Sequence, residues 1–385
     1  MGRYNLRVST FLPVLTEFEK QSIGERQALP DQYLGLSDEE MDRRIAAARR
    51  KLGSRLVILG HHYQRDEVIK YADFTGDSFK LARHISARPE ADYIVFCGVH
   101  FMAESADVLC APHQQVILPD LAAGCSMADM AAPDQLEMVW EELQQMGITS
   151  VVPVTYINSA ASIKAFVGER GGTVCTSSNA MATLEWAFAR GEKILFLPDQ
   201  HLGRNTAYKM GIRLDEMVVW DPHEIFGGLD PDDVKRAKMI LWKGHCSVHT
   251  RFSVGQIAGI RKQHPNVRVI VHPEVPLDVV QAADDNGSTE YILSQVRNSP
   301  PGSEWAVGTE IHLVNRLANE VAPAKTVYSL DQFGCLCSTM FRVSPNHLLW
   351  ILEDLVDGRV HNRIVVPDEQ KHWNRVALDR MLSIR

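Results

Sequence analysis

The chain has no long run of basic residues, and its net charge is −8 over 385 residues. A duplex nucleic-acid binder usually shows a basic patch, so no nucleic-acid partner is expected. No stretch approaches ~18 consecutive apolar residues, so no membrane-spanning helix is expected. The N-terminus lacks a basic segment followed by an apolar core, so no signal peptide is expected and the expected compartment is the cytoplasm. Cysteine is sparse, at seven positions: 97, 110, 125, 175, 246, 335 and 337. An odd count in a long chain without an export signal argues against a disulfide framework. It favours metal or catalytic use of any cysteine that stands apart.

Apolar residues make up 45% of the chain and charged residues 23%, enough for a packed globular core. The length suggests two or three domains. Residues 1–36 show no apolar period and read as an N-terminal extension. The first helix runs from Ser37 to Leu52, with Ser37 and Glu40 spaced as a capping box. Met41, Ile45, Ala48 and Leu52 form its apolar face, and Gly53 stops it.

Short apolar runs then alternate with helical text. They are Leu56–Leu59, Tyr93–Phe96, Val116–Leu118, Val151–Val154, Thr173–Cys175, Ile194–Leu197, Met239–Trp242, Val267–Val271 and Trp305–Val307. The alternation predicts α/β layers with parallel sheets. Strands so uniformly apolar predict sheets covered on both faces. The runs fall into three groups. In each, one strand leads into a polar signature: Gly60-His61-His62-Tyr63-Gln64, Thr155-Tyr156-Ile157-Asn158, or Lys243-Gly244-His245-Cys246. In each, a small-residue turn then opens a helix: Gly76-Asp77-Ser78, Thr176-Ser177-Ser178-Asn179, or Gly287-Ser288-Thr289. This is a weak threefold repeat. Ligands of open parallel sheets sit beyond the carboxyl ends of the strands, so the three signatures are expected to share a central site.

Helix N-termini favour anions, and Ser78, Ser177, Ser288 and Thr289 add hydroxyls there. The plainer reading of each is an ordinary helix cap. Three equivalent turns together point to a small substrate with several anionic groups. Cys97, Cys110 and Cys175 lie in strand or helix text and read as core residues. Cys125, Cys246 and Cys337 lie in polar loops near the ends of successive units. Three thiolates suit a soft metal or an iron–sulfur cluster, although their long separations match no compact motif. A zinc site using Cys246 and His249, with the Cys335/Cys337 pair, is the rival metal reading. Of the 15 histidines, His61, His62, His245, His249 and His272 sit at strand ends, while His113 and His223 read as surface-loop residues. His272-Pro273-Glu274 offers a His/Glu pair for acid/base work, or simply a helix start with Pro in the first turn.

These residues, in this order, resemble the quinolinate synthase family. Further matching text is Phe101-Met102-Ala103-Glu104-Ser105-Ala106, Pro119-Asp120-Leu121 through Gly124-Cys125-Ser126, and Pro198-Asp199-Gln200-His201-Leu202-Gly203. It continues with Trp242 through His249, Gly308-Thr309-Glu310 and Cys337-Ser338-Thr339-Met340. The resemblance covers about residues 55–350. It implies three similar α/β domains around a pseudo-threefold axis: 37–125 plus 338–385, 126–245, and 246–337. It implies one [4Fe-4S] cluster per chain on Cys125, Cys246 and Cys337. It also implies a transferase that condenses iminoaspartate with dihydroxyacetone phosphate to quinolinate, in de novo NAD biosynthesis. An L-aspartate oxidase or dehydrogenase would supply the iminoaspartate. Carried over by position, substrate contacts fall on His61, Ser78, Tyr156, Asn158, Ser177, His272, Glu274 and Thr289. Tyr63, Glu274, His272 and Tyr156 form the catalytic set. Val275 stands where the family commonly has cysteine, and His62 where Asn or Tyr is common. The extension and the Cys335-Leu336-Cys337 doublet resemble the family's longer form. Alignment on Met340 selects Cys337.

Two other readings remain open at this point: another [4Fe-4S] hydro-lyase acting on a dicarboxylate, and a non-catalytic iron–sulfur redox sensor. A zinc hydrolase is a third. A sensor needs neither paired acid/base residues nor three anion-facing turns, and metal content separates zinc from iron.

Overall fold

The computed structural model describes residues 27, 29–85 and 88–384. Residues 1–26 of the extension therefore lie outside the described residues. The first long helix is Asp38–Leu52. Ser37 caps it, its Oγ accepting the Glu40 N–H at 3.2 Å. The return half of the expected capping box is replaced: the Glu40 carboxylate takes two hydrogen bonds from Arg43, at 2.9 and 2.7 Å. A guanidinium one turn on competes better for an exposed carboxylate than a neutral N–H does. Met41, Ile45, Ala48 and Leu52 are buried, as the spacing predicts. Gly53 ends the helix at φ +56°, a backbone angle that disfavours any Cβ.

Fourteen strands among the described residues build three sheets. The first holds β1 (Leu56–His61), β2 (Phe74–Gly76), β3 (Tyr93–Cys97), β4 (Gln115–Ile117) and β14 (Arg363–Ile364). The second holds β5 (Val151–Tyr156), β6 (Thr173–Cys175), β7 (Lys193–Leu197), β8 (Met217–Trp220) and β9 (Met239–Trp242). The third holds β10 (Arg268–Val271), β11 (Asp285–Asn286), β12 (Glu304–Gly308) and β13 (Thr326–Ser329). Their orders are β14-β4-β3-β1-β2, β6-β5-β7-β9-β8 and β11-β10-β12-β13. All pairings are parallel except β14 on β4.

One pattern repeats. In every sheet the first strand in chain order lies between the second and the third. The strand order reverses there, and such a switch point leaves a crevice at the carboxyl ends. Outside the third strand of each sheet comes β4, β9 or β13. This corrects one detail of the repeat. Met239–Trp242 pairs with β7 and β8, so Lys243-Gly244-His245-Cys246 closes the second unit. The third unit's counterpart of Tyr156-Ile157-Asn158 is His272-Pro273-Glu274, directly after β10.

Alternation along the strands sends side chains to both faces. Val269, Val271 and Ala306 join one apolar cluster, while Ile270, Trp305 and Val307 join another. Likewise Leu195, Leu197 and Trp242 face one side of the second sheet, and Ile194, Phe196 and Leu241 the other. Both faces are thus covered, as parallel sheets require. Each fully buried large side chain stabilises by roughly 1.5–3 kcal/mol. The final helix, Asp368–Ser383, lies against the helix Ala161–Glu169 and β6. Gly168 permits this approach, since a Cβ there would sit 2.1 Å from the Trp373 carbonyl oxygen. No helix among the described residues is long and apolar enough to cross a membrane.

Candidate active site

The carboxyl ends of the three sheets open onto one shared cavity. The strands flanking each switch point supply its polar lining in matching fashion. After β1, β5 and β10 come His61 and Tyr63, Tyr156 and Asn158, and His272 and Glu274. After β2, β6 and β11 come Ser78, Ser177 and Thr289. After β4, β9 and β13 come Cys125, Cys246 and Cys337. Every residue that the resemblance marks as a cluster ligand, substrate contact or catalytic group lines this cavity, and Ser288 does not.

The turns separate caps from ligand-facing hydroxyls. Asp77 Oδ1 accepts the Lys80 N–H at 2.8 Å, and Ser288 Oγ accepts the Tyr291 N–H at 3.3 Å. Those two residues cap their helices, so Ser288 is a cap and not a ligand donor. Ser78, Ser177 and Thr289 line the cavity instead. Thr289 Oγ1 and His272 Nδ1 are buried and have no hydrogen-bond partner among the described residues. A buried polar group without a partner is costly, so both suit a polar ligand. Ser78→Ala and Thr289→Ala should each weaken substrate binding by about 10–150-fold, a loss of roughly 1.5–3 kcal/mol. Ser288→Ala should instead lower stability by about 0.5–2 kcal/mol. Substrate titration and thermal unfolding of the three variants check this; unchanged affinity in Ser78→Ala and Thr289→Ala would make them spectators.

The buried titratable groups form one network. His249 Nδ1 donates to Glu274 Oε2 at 2.7 Å, and its ring stacks on His272 at 4.4 Å. The Tyr63 hydroxyl lies 2.7 Å from Thr309 Oγ1, which lies 3.1 Å from His249 Nε2. Burial works to raise the Glu274 carboxyl. His249 and His272 beside it, with hydrogen bonding from His249 and Tyr156, hold it below the ordinary carboxylate range. Burial, then the Glu274 charge, pushes the Tyr63 and Tyr156 phenols well above theirs. Burial lowers His272 to about 3 and takes His61 well below its usual range, so both imidazoles are neutral near pH 7. His61 Nδ1 accepts the Tyr63 N–H at 3.1 Å, which leaves Nε2–H as the donor a ligand can use.

Backbone contacts hold the thiol loops. Asp120 Oδ1 accepts the Ala122 N–H at 2.8 Å, and Arg342 donates to the Ala122 carbonyl at 2.7 Å, just before Cys125. Gly244 passes the Pro198 carbonyl oxygen so closely that a Cβ would lie 2.2 Å from it, just before Cys246. The Cys337 N–H points to Glu310 Oε1 at 3.4 Å. Burial raises all three thiols, Cys125 to about 12, and for Cys246 the other two cysteines add to the rise. Thiols that share one pocket and disfavour charge without a cation fit a soft metal centre. Cys335 is fully buried, donating to the Val248 carbonyl at 3.0 Å, and does not line the cavity. Cys97, Cys110 and Cys175 are buried as expected.

The rival single-ion set has a counterpart: donor atoms of Cys246, His249 and Glu274 lie within 4.8 Å of one another. Both His249 nitrogens are, however, engaged with Glu274 and Thr309. The sequence reading assigned no role to Thr309, although Gly308-Thr309-Glu310 directly ends β12, beside a switch strand. His249 entered that reading only as a zinc ligand.

Fold and site together define the class: a three-sheet α/β enzyme for small molecules, whose cavity gathers three thiols beside a network of buried titratable side chains. The chain belongs to the quinolinate synthetase A family, whose model, described as Quinolinate synthetase A protein, matches residues 43–383. Similar proteins include the quinolinate synthase of Acidobacterium capsulatum, 62% identical over 92% of this chain and 96% of its own length. That of Corynebacterium glutamicum is 56% identical over 93% and 91%. That of Anoxybacillus flavithermus is 53% identical over 94% and 98%.

Proposed function

We propose that this protein is a quinolinate synthase that condenses iminoaspartate with dihydroxyacetone phosphate, releasing phosphate and water, in de novo NAD biosynthesis. The observation that carries the reading is the convergence of equivalent positions from three sheets on one cavity, delivering six polar strand-end residues, three hydroxyls and three thiols. The repeated strand order supports three units about a pseudo-threefold axis, 37–125 plus 338–385, 126–245 and 246–337. An L-aspartate oxidase or dehydrogenase would supply the unstable imine. Seven free cysteines suit a reducing cytoplasm.

Cys125, Cys246 and Cys337 would hold one [4Fe-4S] cluster. When bound, a cluster on three thiolates supplies an iron with an open position, a Lewis acid for a substrate oxygen. The rest falls to side chains. Ser78, Ser177 and Thr289 orient carboxylate and phosphate groups, with Asn158 and the His61 Nε2–H as further donors. Tyr156 and the neutral His272 position the imine partner. Glu274, kept ionised, removes a carbon-bound proton next to the imine. Tyr63, kept protonated, gives a proton to a departing hydroxyl.

Anaerobic incubation of iron-loaded protein with dihydroxyacetone phosphate and iminoaspartate generated in situ tests the function. Quinolinate should appear. Consumption of a dicarboxylate by simple dehydration, with no pyridine product, would favour the hydro-lyase instead. An open iron is also exposed to oxidants. Activity should therefore fall in air and partly return with iron, sulfide and a reductant, followed by assay and iron analysis. Full activity in iron-free, air-exposed protein would rule out the cluster.

A further inference from the structure

We infer that Asn205 and Arg316 are positioning residues: each reaches from the helix of a neighbouring sheet and grips the backbone on both sides of Glu274 and Tyr63 respectively. The inference rests on the function proposed above and adds two residues to it. Tyr63 and Glu274 occupy the same place in matching turns. The Gln64 N–H donates to the His61 carbonyl at 2.9 Å, and the Val275 N–H to the His272 carbonyl at 3.2 Å. Each functional residue is the third of the four in its turn. Asn205 Nδ2 donates to the carbonyls of Pro273 and Val275, both at 2.8 Å. Arg316 donates through Nη1 to the Gln64 carbonyl at 2.6 Å, and through Nη2 to the His62 carbonyl. Neither side chain lines the cavity, so each acts through the turn it holds.

The two grips are equivalent in the fold. The helix after the third strand of sheet two is Gln200–Lys209, and that after the third strand of sheet three is Ile311–Val321. Asn205 and Arg316 are each the sixth residue of their helix. Sheet two thus holds the turn of sheet three, and sheet three holds the turn of sheet one. The third place breaks the pattern. The sixth residue of His100–Leu109 is Ser105, whose Oγ donates back to the Phe101 carbonyl at 2.9 Å. The turn it would serve carries Asn158, where the Ser159 carbonyl instead takes Lys164 Nζ at 2.7 Å. The two-carbonyl grip therefore coincides with the two turns that carry the proposed proton-transfer pair. The chemistry of Asn205 points the same way. Carbonyls only accept, so the amide must turn its NH2 to both of them, which leaves Oδ1 buried and without a partner among the described residues. An unpartnered buried acceptor is costly, and an apolar residue used only to fill the space would avoid it. Fixing the backbone beside a reacting group matters because a displacement near 1 Å can cost about 10²-fold in rate.

The test uses Asn205→Leu and Arg316→Met, which keep the size of the side chain and remove its donors. Each is made in the wild type, in Glu274→Gln and in Tyr63→Phe. Quinolinate formation is measured anaerobically after iron content has been matched. Each single variant should lose roughly 10-fold or more in kcat while KM changes less than about three-fold. In the Glu274→Gln background Asn205→Leu should cost less than about two-fold, because the group it aims is gone, and in Tyr63→Phe it should keep most of its effect. Arg316→Met should show the reverse preference. Arg316 also pairs with Asp66 at 2.8 Å, so stability is checked first. Should either variant fail to fold, Asn205→Ser and Arg316→Lys, which keep a donor, carry the same comparison with smaller losses of kcat expected. Wild-type kcat, a raised KM at unchanged kcat, or an equal cost in both backgrounds would each overturn the inference. Loss of iron would do so too, by making the residues structural. Wild-type protein that makes no quinolinate contradicts the proposed function and the inference together, whereas normal wild-type turnover with indifferent variants contradicts the inference alone.

Discussion

Cys125→Ser, Cys246→Ser and Cys337→Ser, each purified anaerobically, are expected to lose iron and with it turnover. Cys97→Ser, Cys110→Ser, Cys175→Ser and Cys335→Ser should keep both. The division follows from where the chain places each thiol. The first three leave equivalent strands, β4, β9 and β13, and meet in one cavity. The others are packed away. Cys97 and Cys175 are fully buried within strands and do not line the cavity. Cys110 donates to the Asp107 carbonyl at 3.3 Å, and Cys335 is turned towards the Val248 carbonyl. The effect is expected to be all-or-none, because the proposed cluster, left with two protein thiolates, would lose both charge balance and attachment. Iron and sulfide analysis per chain, before any assay, reads it directly. Iron lost from Cys335→Ser and retained by Cys337→Ser would reverse the assignment within the doublet.

Tyr63→Phe and Glu274→Gln should keep the cluster and still bind substrate, yet lose at least ~10²-fold in turnover. Closing a pyridine ring demands several proton transfers as phosphate and water leave. Tyr63 and Glu274 hold opposite protonation states in the same pocket, one phenol kept protonated and one carboxyl kept ionised. Two groups pushed apart in this way can divide acid and base duties. Tyr63→Phe removes one oxygen and leaves the ring contact with His61, so a folding defect would not account for the loss. Single-turnover quinolinate formation at matched iron content is the measurement. A normal rate in Tyr63→Phe would make the tyrosine a cavity wall and move the proton donor to His61, Tyr156 or His272.

The fold was legible where burial is complete. Ile194–Leu197 and Tyr93–Phe96 are apolar throughout because both faces of those strands are covered, and each is a strand. The edges were less legible. β11 is two polar residues, Asp285–Asn286, and β13 is exposed at Thr326 and half-exposed at Tyr328 and Ser329. Nothing in such text distinguishes it from a loop. β8, Met217–Trp220, is an apolar run that is not among those read from the sequence, and β9, Met239–Trp242, was read but allotted to the third group. Only pairing partners reveal that both belong to the second sheet.

The cavity lining was readable to the residue at His61, Tyr156 and Glu274, since each sits at, or within three positions of, a strand's carboxyl end. The offset between a cap and a ligand-facing hydroxyl was not. Asp77 and Ser78, or Ser288 and Thr289, are neighbours of similar polarity. The helix start alone decides which side chain turns back to the backbone. Thr309 stayed hidden for a related reason: its partners, Tyr63 and His249, come from other units, and no local spacing records such a contact.

The most direct test of this account is anomalous diffraction at the iron edge from crystals of the iron-loaded protein grown without oxygen. The account predicts iron density in the cavity within bonding distance of Sγ of Cys125, Cys246 and Cys337, and none at Cys335. A single ion on Cys246, His249 and Glu274, with the Cys125 and Cys337 thiols unbound, would contradict it.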